Sequence, residues 1–205
     1  MTPWQQHVKN WEHCQECPLC TQRQNVVLAR GTVPCDVLLI GEAPGISEDA
    51  LGKPFIGPAG KLIDQVVERA IPRDERADCL GAPDPYLLSW AFTNLVACFP
   101  AEAKETSNHQ PNVSEIEACR PRLDEFIMVC QPRLIVTVGG LAEDHLSVEI
   151  INDKPYYGGM VPVCRIVHPA HILRMPLAQR DMATRRAIAT LSTAIESLLG
   201  KETAT

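Results

Sequence analysis

The sequence predicts an α/β fold, a three-layer αβα sandwich around a mostly parallel, four-stranded central sheet. Three observations lead there. Short apolar runs rich in Val, Ile and Leu recur at 35–42 (CDVLLIGE), 89–99 (SWAFTNLVACF), 133–140 (RLIVTVGG) and 161–168 (VPVCRIVH), as strands buried on both faces do. Helical patterns fall between these runs, and strand–helix alternation implies crossover connections and parallel pairing. The chain has 205 residues, 45% hydrophobic and 21% charged, which suits one domain over residues 1–205 with a sizeable core.

Taken in order, the first strand leads into GEAPGISEDALGKPFIGPAG at 41–60. Its five glycines and three prolines predict a long loop with neither helix nor strand. GKLIDQVVERA (60–70) puts Leu62, Ile63, Val66, Val67 and Ala70 on one helical face. Residues 71–88 and 100–113 read as irregular inserts around the second strand. SEIEACRPRLDEFIMVC (114–130) places Ile116, Cys119, Leu123, Ile127 and Cys130 at helical spacing, with Ser114 as N-cap and Pro121 marking a kink or a shorter first turn. A last amphipathic helix covers 177–199, with Gly200 as its stop. In such a sheet ligands bind beyond the carboxyl ends of the strands. Here that means GEAPG, the residues after Thr93-Asn94, and HPAHILR at 168–174.

The net charge of −6 and a sequence pI near 5.5 argue against a surface coated in basic charge for nucleic acid, although arginines gather at 119–133 and 165–185. No apolar run approaches membrane-spanning length, and MTPWQQHVKNWEHC lacks a signal pattern. The expectation is a soluble, cytoplasmic monomer with no membrane partner.

Nine cysteines, an odd number in an unsecreted chain, do not read as a disulfide framework. Cys35, Cys130 and Cys164 flank apolar segments and read as small buried hydrophobes. Cys14 and Cys17 form a C-x-x-C pair able to grip one metal centre from a single turn. Cys98 closes a strand and Cys119 lies in the first turns of the next helix, so all four could meet in a tetrathiolate site. Such ligands suit zinc or an iron–sulfur cluster, and spacing does not separate the two. Cys20 is a rival, because 14, 17 and 20 also form a C-x2-C-x2-C run, similar to part of the bacterial ferredoxin pattern.

Here the residues resemble a known family. GEAPG-x-x-ED-x-x-G-x-PF-x-G-x-AG at 41–60 looks like the first motif of the family-four, iron–sulfur uracil-DNA glycosylases. The match continues in order through CxxCPLC (14–20), TNLVAC (93–98), EIEACRP (115–121), RLIVTVGGLA (133–142) and HPAHILR (168–174). The resemblance implies an enzyme of base-excision repair. It would flip uracil, or a related deaminated or modified base, out of DNA and hydrolyse the N-glycosidic bond. It also implies a structural [4Fe–4S] cluster on Cys14, Cys17, Cys98 and Cys119, packing an N-terminal segment of about residues 1–30 on the domain.

The same motifs assign roles. Asn94 offers an amide donor and acceptor to the edge of uracil; its plain alternative is a turn-forming Asn. Phe55 offers a face for a flipped base to stack on, or else anchors the loop. His168 can donate to the uracil oxygen that gains charge as the bond breaks, its alternative being a structural strand-end His. Glu42 can stabilise an oxocarbenium-like sugar or orient water, although the family-one enzymes place an Asp one position later, where this chain has Ala43. Gly41 and Ala43 belong to the pocket floor. Glu48 matches a position that crowds the methyl of thymine, with a solvated loop carboxylate as its alternative, and Arg174 faces phosphate or fills the gap left by the base.

The chain departs from the family at CFPA (98–101) and SNHQP (107–111), where Phe99 and His109 stand for expected arginines, and at His171, where Tyr is usual. These departures keep two alternatives open. One is a non-cleaving nucleic-acid or modified-base binder, and the other a base-processing enzyme of a DNA-modification pathway. His109 also falls near a loop that, in a related subgroup, bonds covalently to DNA.

Overall fold

A computed structural model of the chain describes residues 1–71, 88–101, 109–146, 148–151 and 153–200. Most of the two inserts expected at 71–88 and 100–113 lies outside the described residues. The elements in chain order are α1 (Pro3–Trp11), a 3-10 turn (Pro18–Thr21), β1 (Arg30–Gly31), β2 (Val37–Gly41), α2 (Ile46–Leu51), α3 (Pro58–Ala70), β3 (Trp90–Asn94), α4 (Val113–Cys130), β4 (Leu134–Val138), α5 (Gly140–His145), β5 (Val148–Ile151), β6 (Lys154–Tyr157), β7 (Val161–Ile166), α6 (Pro169–Arg174) and α7 (Leu177–Gly200).

Among the described residues the sheet has seven strands, in the order β1-β3-β2-β4-β7-β6-β5, not four. The four apolar runs of the sequence form its centre, β3-β2-β4-β7, and pair in parallel. The additional strands are antiparallel edges: β1 beside β3, and the β5–β6 hairpin beside β7. The register sets Gly41 opposite Asn94, so the segments after β2 and β3 leave the sheet side by side.

Alternation along the central strands divides the core into two faces. Val37 and Leu39 of β2, with Val136 and Val138 of β4, pack among Ile63 and Val66 of α3 and Leu191 and Ile195 of α7. Leu38 and Ile40, with Ile135, pack on the other side with Leu123, Phe126 and Ile127 of α4. These side chains are almost fully buried, and each contributes about 1.5–3 kcal/mol by leaving water. The result is the expected αβα layering.

Two local expectations change. The glycine-rich stretch 41–60 holds helix α2 and the start of α3, because Gly45 and Gly52 cap a six-residue helix rather than interrupt it; Gly52 takes φ +68, the left-handed value that ends a helix. The cap of α4 is Asn112, not Ser114. Its side chain accepts the Glu115 N–H while Glu115 reaches back to the Asn112 N–H, a complete capping box. Pro121 lies inside α4, which runs on to Cys130.

Helix α1 lies on α4. His7, fully buried, stacks on Trp4 and meets Glu125 at 3.1 Å, while Asn10 and Trp11 donate to the same carboxylate. Burial alone would raise the Glu125 carboxyl, but these donors hold it below the usual range. Among the described residues no helix is long and apolar enough to cross a membrane.

Candidate active site

The carboxyl ends of the parallel strands surround a cavity of about 270 Å³. That is slightly below the roughly 300–1,000 Å³ of sites that take drug-sized ligands, and suits one small ring. Glu42, Ala43 and Glu48 line it from the segment after β2, Phe55 from the loop before α3, Asn94 from β3, His168 from the β7–α6 connection and Arg174 from the end of α6. A larger groove of about 590 Å³ lies at the other end of the sheet, at the starts of β4 and β7, and none of the candidate residues reaches it.

The floor is Gly41. A Cβ there would stand 2.5 Å from Phe55 Cζ and collide with Asn94 Oδ1, so the amide and the ring converge only over a bare backbone. Asn94 is 3% exposed and its side chain forms no hydrogen bond among the described residues, which leaves its donor and acceptor free for a ligand. Phe55 sits at φ +55, a left-handed conformation unusual for an aromatic residue. Its carbonyl presses on Gly60, where any Cβ would clash with backbone, and its ring leans on Phe92 at 6.0 Å between centroids. The ring is therefore both cavity wall and core anchor.

Glu48 is buried, not solvated. Its Oε1 accepts the N–H groups of Ile56 (3.1 Å) and Gly57 (2.8 Å), and its Oε2 accepts that of Gly45 (3.1 Å). One carboxylate thus ties both ends of the glycine-rich stretch and presents a rigid wall to the cavity.

His168 caps α6. Its Nδ1 accepts the Ala170 N–H at 3.1 Å, so the neutral ring carries its proton on Nε2, a donor. Burial, then the charges of Arg174 and His171, lower its pKa to about 4, which keeps it neutral near pH 7. Gly139, at φ +95, gives the ring room, since a Cβ there would lie 3.2 Å from His168 Cβ. Burial pushes the Glu42 carboxyl above the usual carboxylate range, against the pull of Arg174.

A second centre lies beneath the strand ends. Cys14, Cys17, Cys98 and Cys119 line one small cavity, and Cys20, in the 3-10 turn, does not. Arg23 donates to Cys98 Sγ at 3.3 Å and to the Cys14 carbonyl at 2.5 Å. Burial pushes the Cys98 thiol up to about 12 and raises Cys17, and the neighbouring thiols add to both. Among the described residues no three His, Cys, Asp or Glu side chains sit tightly enough to hold a single metal ion. The four thiols line one space, and a tetrathiolate donor set suits zinc and an iron–sulfur cluster alike. Elsewhere Cys35 and Cys130 are buried against each other, the hydrogen bond with Cys35 and then burial pushing the Cys130 thiol up, and Cys164 is half-buried.

Two residues singled out by the sequence stay outside the cavity. His109 Nε2 meets Glu115 Oε2 at 3.3 Å, at the cap of α4, and His171 is exposed. Sequence reasoning missed Arg122, a buried arginine on α4. Its Nη1 donates to Thr93 Oγ1 (2.9 Å) and its Nη2 to the carbonyls of Asn94 (2.6 Å) and Leu95 (2.7 Å). The available signal was an arginine set three residues after Cys119 and one before Leu123, on an otherwise apolar face.

Residues 30–192 match the family model of the uracil DNA glycosylase superfamily. The chain is similar to the type-4 uracil-DNA glycosylase of Pyrobaculum aerophilum, at 34% identity over 189 residues, covering 84% of this chain and 87% of that protein. It is similar to the enzyme of the same name from Saccharolobus solfataricus, at 33% over 176 residues (80% and 74%). A third such protein, from Thermotoga maritima, is 30% identical over 169 residues (78% of each chain).

Proposed function

The chain belongs to the uracil DNA glycosylase superfamily, and from that premise we infer that it is a monofunctional glycosylase that removes uracil from DNA. The observation that carries the reading is the convergence of Glu42, Phe55, Asn94 and His168, from separate strand-end segments, on one cavity sized for a small ring.

The chemistry follows from the side chains. A base flipped into the cavity stacks on Phe55, and the Asn94 amide pairs with its alternating donor–acceptor edge. As the bond between C1′ and the ring nitrogen breaks, its electron pair moves onto the base and charge gathers on a carbonyl oxygen. His168 donates to that oxygen from Nε2, a preorganised contact of the kind worth about 10²–10³ in rate. Glu42 stabilises the oxocarbenium-like sugar and orients the water that adds to C1′; the water's proton leaves with the departing base, and an abasic site remains. The Glu48 carboxylate is the fixed wall that a thymine methyl would meet. Arg174 supplies a cation for phosphate.

Cys14, Cys17, Cys98 and Cys119 would hold a [4Fe–4S] cluster. Bound there, it supplies structural cross-linking between the N-terminal segment, the end of β3 and α4. One chain supplies every residue of the pocket, so a monomer suffices, and a DNA substrate points to an intracellular place of action.

A second reading, binding without cleavage, draws on the departures from the family. Phe99 is buried and His109 is tied to Glu115, so neither offers the DNA face a free cation. Oligonucleotides carrying uracil, hypoxanthine, xanthine or hydroxymethyluracil, single- and double-stranded, separate the two. Alkali-labile sites at uracil support the glycosylase, whereas retention of every oligonucleotide uncut supports the binder.

A further inference from the structure

Arg122 is 1% exposed, yet it forms no ion pair among the described residues. Its hydrogen bonds go to three neutral oxygens, at Thr93, Asn94 and Leu95, and its Nε has no acceptor among the described residues. Neutral oxygens satisfy donors but do not balance a buried charge, and an unbalanced charge in the interior costs several kcal/mol. The same side chain lines the four-thiol cavity, beside Arg23, which also forms no ion pair among the described residues. Glu16 also lines the cavity but pairs with neither arginine among the described residues, so two guanidinium groups beside four thiols mark a place where further negative charge belongs. Cysteines deprotonated around a metal group supply that charge.

Arg122 therefore has two attachments. One side borders the thiol cavity. The other grips the backbone carbonyls of Asn94 and Leu95, where β3 ends and the pocket amide begins. Its Nη1 also holds Thr93 Oγ1, and that hydroxyl donates to the Leu28 carbonyl at 2.7 Å, which brings the N-terminal segment into the same network.

We propose that Arg122 is a positioning residue that fastens the strand end carrying Asn94 to the thiol-lined cavity, so that filling the cavity tightens the base pocket. The inference rests on the glycosylase reading and on the metal group assigned to the four cysteines. It gives that group a task beyond cross-linking: as counter-charge, it steadies the arginine that steadies the amide.

The test uses the full chain, purified with its metal group, as wild type and as Arg122→Lys and Arg122→Met. Lysine keeps the charge but cannot span three acceptors, and methionine keeps bulk without charge. Iron content is expected to stay at the wild-type level in Arg122→Lys. Its single-turnover rate on uracil DNA should fall about 10–100-fold, as a misplaced binding group predicts, with the Kd for DNA moving less than about 3-fold. Voltammetry of the DNA-free protein gives a readout independent of activity. Removing a cation beside the cluster should move its midpoint potential to more negative values in Arg122→Met, and much less in Arg122→Lys. Rates within about 2-fold of wild type in both variants, or an unmoved potential in Arg122→Met, would overturn the proposal. So would failure of both variants to fold, which would leave Arg122 a purely structural residue. An iron-loaded wild type that releases no uracil would instead sink the glycosylase reading itself.

Discussion

Replacing Gly41 with alanine adds one carbon against both the Phe55 ring and the Asn94 amide. The added Cβ would lie 2.5 Å from Phe55 Cζ and closer still to Asn94 Oδ1. Carbon–carbon contacts settle near 3.5–4.0 Å, so the ring tip must retreat by about 1 Å, and the amide at least as far. Neither can do so freely. Phe55 is fixed at φ +55, its carbonyl is wedged on Gly60 and Phe92 stands behind its ring. Asn94 is paired in register with Gly41 itself, and its carbonyl is held by Arg122. Overpacking of this kind costs about 1–3 kcal/mol. For a protein of this size, 2 kcal/mol lowers Tm by roughly 4–8 °C. The catalytic loss is larger, because a misplacement near 1 Å costs about 10²-fold. Single-turnover release of uracil by Gly41→Ala, measured beside its melting curve, should therefore drop about 100-fold with a modest fall in Tm. A rate within about 3-fold of wild type would refute the claim that the amide and the ring must converge over a bare backbone.

Glu48→Ala leaves the N–H groups of Gly45, Ile56 and Gly57 without their carboxylate, and hydrogen bonds to a charged group contribute about 1.5–3 kcal/mol each net of exchange with water. Urea titration should show a lower midpoint, with Glu48→Gln falling between the two. The pH profile of kcat/KM should have an acid limb displaced upward from the ordinary carboxylate value of 4.5, because Glu42 acts ionised and burial raises its pKa, and Glu42→Gln should flatten that limb. His168 resists protonation in the folded state, with a pKa lowered from 6.5 to about 4. Its contribution to stability is thus full above pH 6.5 and is lost as pH falls toward 4, by at most about 3 kcal/mol, and His168→Asn should lose less stability over that window. Cys98→Ser should cut iron and sulfide content and stability together, whereas Cys20→Ser, outside the thiol cavity, should leave both at the wild-type level.

The central strands were legible because they are buried on both faces, which forces continuous Val, Ile and Leu runs such as VLLI at 37–40. The β5–β6 hairpin was not. Its residues are half-exposed, as Ile150 shows at 70% exposure, and an edge needs no such run. Helix α1 was missed because its surface is polar and its burial rests on His7 and Trp4, although Thr2 and Gln5 spell a readable capping box. Inside 41–60, glycine was read as a breaker where it serves as a cap, so α2 went unseen. Glu42, Phe55, Asn94 and His168 could be named only through motifs at strand ends, since no periodicity links residues so far apart. Arg122 escaped because its task is defined by carbonyl groups, and the chain carries a carbonyl at every position.

Where a uracil ring settles in crystals of the chain soaked with free uracil is the most direct test of the pocket. One ring is expected in the 270 Å³ cavity, face against Phe55, its edge on the Asn94 amide and an oxygen within hydrogen-bond reach of His168 Nε2. A ring bound elsewhere, with the Asn94 and His168 side chains turned away from the hollow, would contradict this placement.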